Sequence, residues 1–172
     1  MTPNVFLVLT VIGDDRPGLV GELSALISAH QGNWLESSMS QLAGKFAGIV
    51  KVDIHYQHAE ALKAALNGLA GLKTTAEIST PPADTHGQRM SLSLVGHDRI
   101  GIVREVTQTL ARHAVNVEKL TTFISSAAMS AESLFHAQAL LHLPAGIDPH
   151  MLTAELEKIS DDLMVDLTVS EE

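Results

Sequence analysis

Gly13-Asp14-Asp15-Arg16-Pro17-Gly18-Leu19-Val20 returns 83 positions later as Gly96-His97-Asp98-Arg99-Ile100-Gly101-Ile102-Val103. The register holds without a gap from Leu9 and Leu92 to Asn33 and Asn116, and nine of those 25 positions are identical. A repeat of that density means two copies of one supersecondary unit. Past the asparagines the second copy gains about six residues around Ser125 to Ala131, so that Phe46 corresponds to Phe135. An insertion of this kind belongs in a loop or at a strand end, where added backbone stays in water.

Within one copy, the β-branched and leucine-rich run Val5 to Ile12 predicts a buried strand, and Gly13 to Gly18 carries turn chemistry that leads into a helix. Pro17 suits the first helical turn, where its missing N–H costs nothing, and Asp14 or Asp15 is placed to cap the free amides. Leu19, Val20, Leu23, Leu26 and Ile27 then form one helical stripe that faces a sheet. Gly32 sits where a left-handed helix cap is wanted and Asn33 opens the next strand; Val115 in the second copy predicts a different exit there. Phe46, Gly48, Val50, Val52 and Ile54 alternate with other residues, as do Phe135, Ala137, Ala139, Leu141 and Leu143, which is the period of a half-buried strand.

A second helix is predicted over Ala59 to Leu69 and over Pro149 to Ile159, and Lys73 to Ile78 and Leu163 to Val169 close the units as strands. The order is βαββαβ, an α+β ferredoxin-like unit, twice. Residues 1–79 form the first domain, 80–88 a polar, proline-containing linker and 89–172 the second. Each unit leaves two sheet edges and one open face, so the two are expected to pair side by side into an eight-stranded antiparallel sheet with helices on one face. Further association, as a homodimer, is expected for the same reason.

Composition bounds the function. Apolar residues make up 45% and charged residues 18%, which is globular, and no apolar run reaches the roughly 20 residues of a membrane helix. The first apolar run lacks a preceding basic residue and meets Asp14 and Asp15, so it is a poor signal peptide, and the cytoplasm is the expected location. Without cysteine there are no disulfides, thiolate metal sites or cysteine nucleophiles. The net charge of −9 divides into 5 basic against 8 acidic residues before position 86 and 6 against 12 after it. Such a surface repels a phosphate backbone, so direct nucleic-acid binding is not expected.

No nucleophile elbow, phosphate loop or dinucleotide motif occurs, and Gly13 to Gly18 lacks the lysine a phosphate loop needs, so no catalytic residues are assigned. The pairs His55/His58 and His136/His142 are not repeated between the halves and have no partner at ligand spacing, so neither a metal nor any other cofactor is assigned. Trp34 and the leucine stripes read as core.

The strand, the Gly-Asp-Asp-Arg-Pro-Gly-Leu-Val loop, the helix and the following asparagine, twice over in βαββαβ units, resemble the ACT domain, a small regulatory fold that senses amino acids. The resemblance covers almost the whole chain. A free-standing pair of such domains is similar to the glycine cleavage system transcriptional repressor family, whose members act as accessory regulators through a DNA-binding protein. The first unit also resembles that of formyltetrahydrofolate hydrolase, which continues into a catalytic domain absent from these 172 residues. Two departures, Ile100 in place of proline and Trp34 after Asn33, imply that the two sites need not be equivalent.

A glycine-led helix start presents amides and the positive end of the macrodipole to a carboxylate. An amino acid also brings an ammonium, which loop carbonyls, Asp14 or Asp98 can accept, and the asparagine amides offer both donor and acceptor. The resemblance implies a ligand held between the first loop of one domain and the helix exit of its neighbour. The ligand-binding residues carried over are Gly13, Asp14, Asp15, Gly18, Leu19 and Asn33 in the first copy, and Gly96, Asp98, Gly101, Ile102 and Asn116 in the second. Glycine, suggested by kinship alone, would be selected by the bulk of Leu19 and Trp34. The same residue types also serve as plain caps and turns, which leaves two alternatives open: a ligand-free protein-interaction module, or a regulatory subunit of an amino-acid metabolic enzyme.

Overall fold

A computed structural model describes residues 3–80, 83 and 86–171. Its contacts divide the chain into two compact units, Met1–Pro82 and Ala83–Glu172. The first runs β1 (Asn4–Asp14), α1 (Leu19–Ala29), β2 (Asn33–Leu42), β3 (Lys45–His55), α2 (Tyr56–Asn67) and β4 (Leu72–Ser79). The second repeats that order as β5 (Gly87–His97), α3 (Ile102–Arg112), β6 (Asn116–Ser126), β7 (Ser133–Pro144), α4 (Pro149–Glu157) and β8 (Met164–Val169).

Each unit is a four-stranded antiparallel sheet, ordered β2-β3-β1-β4 and β6-β7-β5-β8. Among the described residues the ladders form these two sheets of four strands. Hydrophobic alternation reports which face of a strand is buried, and carries no information about which edge pairs with which. β5 already takes up Gly87 and Gln88, which the sequence reading gave to the linker. Pro81, Pro82, Asp84 and Thr85 of that linker lie outside the described residues.

The period-2 and period-3.6 patterns meet at the cores. In the first unit Leu7, Leu9 and Val11 of β1 and Val50, Val52 and Ile54 of β3 face Leu23 and Ile27 of α1 and Leu62 and Leu66 of α2. The second unit does the same with Leu92, Leu94, Leu141, Leu143, Val106, Leu110, Leu152 and Leu156. The α1 stripe is narrower than expected: Leu19, Leu23 and Ile27 are buried, whereas Val20 remains 45% exposed.

Both helix exits are built alike, contrary to expectation. The left-handed residues are Gln31 (φ 60°) and Ala114 (φ 54°), not Gly32. The same bonds close each exit, Gly32 N–H to the Ile27 carbonyl at 2.9 Å and Val115 N–H to the Leu110 carbonyl at 3.0 Å. Gly32 is required for space, since a Cβ there would stand 2.9 Å from Ile27 Cγ2 and Val52 Cγ1.

Candidate functional site

The strand-to-helix corner starts a helix without a side-chain cap in each unit. Gly18 and Gly101, both at φ 91°, turn the chain into α1 and α3, and neither helix has a side-chain cap. A Cβ at either glycine would meet nothing within 4 Å, so the glycines serve the backbone angle and not close packing. The first helical bonds run from Glu22 N–H to the Gly18 carbonyl (2.9 Å) and from Glu105 N–H to the Gly101 carbonyl (3.0 Å). The amides ahead of them therefore lack the aspartate cap that the sequence led one to expect. Pro17 lies in the turn before α1 rather than in its first turn.

The aspartates are used otherwise. Asp14 ends β1 in an ion pair with Lys45, whose hydrogen bond and charge hold its carboxyl below the usual range. The Asp15 N–H donates to the Gly44 carbonyl and the Asp98 N–H to the Ser133 carbonyl, each at 2.9 Å, which ties the corner to the adjacent hairpin. Among the described residues the carboxylates of Asp15 and Asp98 have no hydrogen-bond or ion-pair partner.

Behind each corner lies the same bidentate pair, Arg16 with Glu22 (3.2 and 2.6 Å) and Arg99 with Glu105. Each guanidinium depresses its glutamate, and each glutamate raises its arginine. Glu22 and Glu105 are identical across the repeat at six residues past the arginine, which is the signal by which the pair could be found.

A hollow of about 450 Å³ opens at the first corner, lined by Ile12, Gly13, Asp14, Lys45, Gly71 and Lys73. Two lysines against one carboxylate make it a place for an anion. Gly13 is needed here for close approach, because a Cβ would lie 2.2 Å from the Gly71 carbonyl oxygen. Lys45, Gly71 and Lys73 are absent from the residues carried over from the repeat, since none of them recurs in the second copy.

The second corner is built from different chemistry. His97 occupies the position of Asp14, and its ring lies 2.9 Å from Glu132 through Nε2 and 2.9 Å from Asp162 through Nδ1. Asp162 also accepts from the His97 backbone N–H at 2.6 Å and from the Ser160 hydroxyl. These donors, Ser160 first, bring its pKa down to about 2.

Not all the predicted residues meet. Gly13, Asp14, Asp15 and Gly18 share the first corner, and Gly96, Asp98 and Gly101 the second. Leu19 and Ile102 are buried at 3% and 4% exposure, so they offer a site only their backbone. Asn33 pairs with Asp53, which pairs with Phe6, whereas Gly13 pairs with Phe46. Asn33 thus stands at the far end of the sheet, seven residues along β1 and about 23 Å away at ~3.3 Å per residue. Asn116, through His142 and Arg89, is equally remote from Gly96. Trp34 packs on the first core at that same far end. Within one unit neither asparagine nor Trp34 reaches its own corner.

Among the described residues no group of three histidine, aspartate or glutamate side chains is arranged to hold a metal ion, and no helix is long and apolar enough to cross a membrane. His136 stacks on Phe123 (4.5 Å between centroids, 5°) and bonds to Ser125. The His55 ring accepts from the Gln57 N–H as the cap of α2.

Residues 5–76 match the family model of the ACT domain. A protein of unknown function from Galdieria sulphuraria superposes with a TM-score of 0.83 at 25% identity, covering 98% of this chain and 99% of that one. A protein described as a candidate glycine cleavage system transcriptional repressor superposes with a TM-score of 0.67 at 18% identity, over 97% and 99%. The UPF0237 protein MK1213 of Methanopyrus kandleri is 40% identical over 47 residues, 27% of this chain and 52% of that protein, so the chain spans about half the length of the curated relative it matches. Since the second unit reproduces the first in sequence register, element order and strand order, the chain is a tandem of ACT-like units.

Proposed function

We propose that this tandem is an amino-acid-responsive regulatory protein of the cytoplasm, and specifically an accessory repressor of the glycine cleavage system that acts through a DNA-binding partner protein. One observation carries the reading: the same uncapped, glycine-led helix start occurs at both corners, with an unpartnered carboxylate, Asp15 or Asp98, beside it. The amides and dipole take the carboxylate of an amino acid, and the aspartate takes its ammonium. Likeness of fold to a described repressor supports the setting. The ligand completes its contacts on the helix exit, Asn33 or Asn116, of a second copy of the chain in a homodimer. Its binding then favours one of two states of the protein, and the partner protein distinguishes the two.

Thermal melting against a panel including glycine, serine and their analogues tests this. A ligand at a hundred times its dissociation constant adds about 2.7 kcal/mol to native stability. The absence of a shift with every amino acid would leave the ligand-free interaction module. Affinity capture then separates partners: a DNA-binding activator supports the repressor, and a biosynthetic enzyme overturns it.

A further inference from the structure

We infer that the hollow at the end of the first sheet is a site for a dianionic oxyanion, a phosphate or a dicarboxylate, and that Asp14 is its built-in competitor, which occupies Lys45 until such a ligand displaces it. The placement follows from strand register. Asp14 of β1 pairs with Lys45 of β3 on one side, and Ile12, two residues back, pairs with Lys73 of β4 on the other. Leu7, Leu9 and Val11 turn into the core, so Ile12 and Asp14 and the lysines opposite them belong to the open face, with β1 between the two cations. The lysine Cα atoms are two strands and two residues apart, about 12 Å at ~4.8 Å per strand and ~3.3 Å per residue. Two flexible four-carbon stems cover that distance, so both ammonium groups can meet on one ligand in the hollow they line.

Only one of the two cations is engaged. Lys45 is paired with Asp14, whereas among the described residues Lys73 has no hydrogen-bond or ion-pair partner. A single carboxylate against two ammonium groups leaves one positive charge over, and a dianion matches both. The internal pair is also given up at little cost. Asp14 is 84% exposed and Lys45 60%, so the bond is screened by water and the released carboxylate is solvated at once. Arg16 reaches the Ala70 carbonyl beside the Gly71 turn, but its charge is matched by Glu22.

The second unit lacks these cations. In the same register positions Leu134 pairs with His97 and Met164 with Val95. Glu132 and Asp162 stand beside His97 there, and carboxylates repel an anion. The amino-acid reading uses the amides of the helix start and not these lysines, so the two stand or fall separately.

Amide chemical shifts of the intact chain test the site, in titrations with inorganic phosphate and separately with succinate, each against sodium chloride of equal ionic strength. Residues 12–14, 45 and 71–73 should shift to saturation with at least one of the two dianions, while residues 95–97, 134 and 162–164 do not. The dianion that binds more tightly identifies the source. Asp14→Asn, which removes the competitor, should tighten binding several-fold, and Lys73→Gln should weaken it several-fold. Glu77→Gln takes the same charge from β4, four residues beyond Lys73, and should change the affinity far less. Shifts that never saturate, or that are equal in the two units, overturn the site. An Asp14→Asn chain that binds no more tightly than Glu77→Gln overturns the competition.

Discussion

Two corners with one backbone and two sets of side chains sit in the same chain. Gly18 and Gly101 share a φ of 91°, and the arginine–glutamate pairs behind them correspond position for position in the repeat. In front of them the chemistry inverts: a carboxylate on β1 meets a lysine on the hairpin, whereas an imidazole on β5 meets a glutamate on the hairpin and an aspartate before β8. What the repeat preserves is the geometry that frees helix amides. What it varies is the charge that surrounds them, so a shared ligand chemistry would be read by two different electrostatic environments.

The largest difference between the units is expected from one glycine. At Gly13 an added Cβ runs into the Gly71 backbone oxygen at 2.2 Å, while at Gly96 it meets the Leu163 side chain, Cδ1, at 2.7 Å. Backbone cannot rotate aside and a leucine can. Gly13→Ala should therefore cost about 3 kcal/mol and Gly96→Ala about 1 kcal/mol. Urea unfolding followed by Trp34 fluorescence reports the first unit, because the chain's single tryptophan packs on that core. Equal losses would mean that the two corners are packed alike, and the contrast would fail.

Gly18→Ala and Gly101→Ala sharpen the comparison from the other side. Both positions are left-handed with open space around them, so each substitution should cost about 1–2 kcal/mol through backbone conformation alone. The two values should agree in paired denaturation curves. If one glycine proves indifferent, that corner does not keep its φ in solution and the repeated helix start is not a shared device.

The repeat itself, the strands and the core were legible because burial imposes a period on a sequence, and the structure keeps Leu7, Leu9 and Val11 or Leu92 and Leu94 where alternation put them. Helix caps were less legible. Asp14 and Asp15 are good caps by residue type, yet Lys45 on a distant strand and the Gly44 carbonyl hold them elsewhere, and nothing local in the chain encodes those partners. Asn33 and Asn116 were assigned through the resemblance and not from local chemistry, and the helix that precedes each one carries it to the end of the sheet opposite its own corner. The His97 cluster was hidden for the converse reason: it falls on a position where the copies differ, and its partners come from the insertion and from the α4–β8 connection.

Acid should separate the units next. The Ser160 hydroxyl and the His97 N–H hold the Asp162 carboxyl down to about 2, below the usual carboxylate range. A depressed carboxyl contributes its stability above the unfolded value and loses it as pH falls toward the folded one, so the second unit should weaken between about pH 4 and pH 2. Asp162→Asn should remove much of that slope. Asp14 is lowered by Lys45 in the same direction, but it is a single exposed pair, and Asp14→Asn should flatten the curve of the first unit less. Melting temperatures of both variants across that range check the order.

The smallest effect is expected where the units agree. Arg16 and Arg99 make bidentate contacts with their glutamates, which is good geometry, but the side chains stay 43% and 37% exposed. Water and salt screen such pairs, and ordering two long side chains opposes the gain, so Arg16→Ala and Arg99→Ala should each cost no more than about 1 kcal/mol. Both costs should shrink together in high salt. Arg16 also reaches the Ala70 carbonyl at 3.5 Å, beside the turn at Gly71 that shapes the first hollow. If Arg16→Ala is the costlier substitution and the excess persists in high salt, the first arginine is acting on that turn, and the inequality of the corners extends to the one pair that the repeat keeps identical.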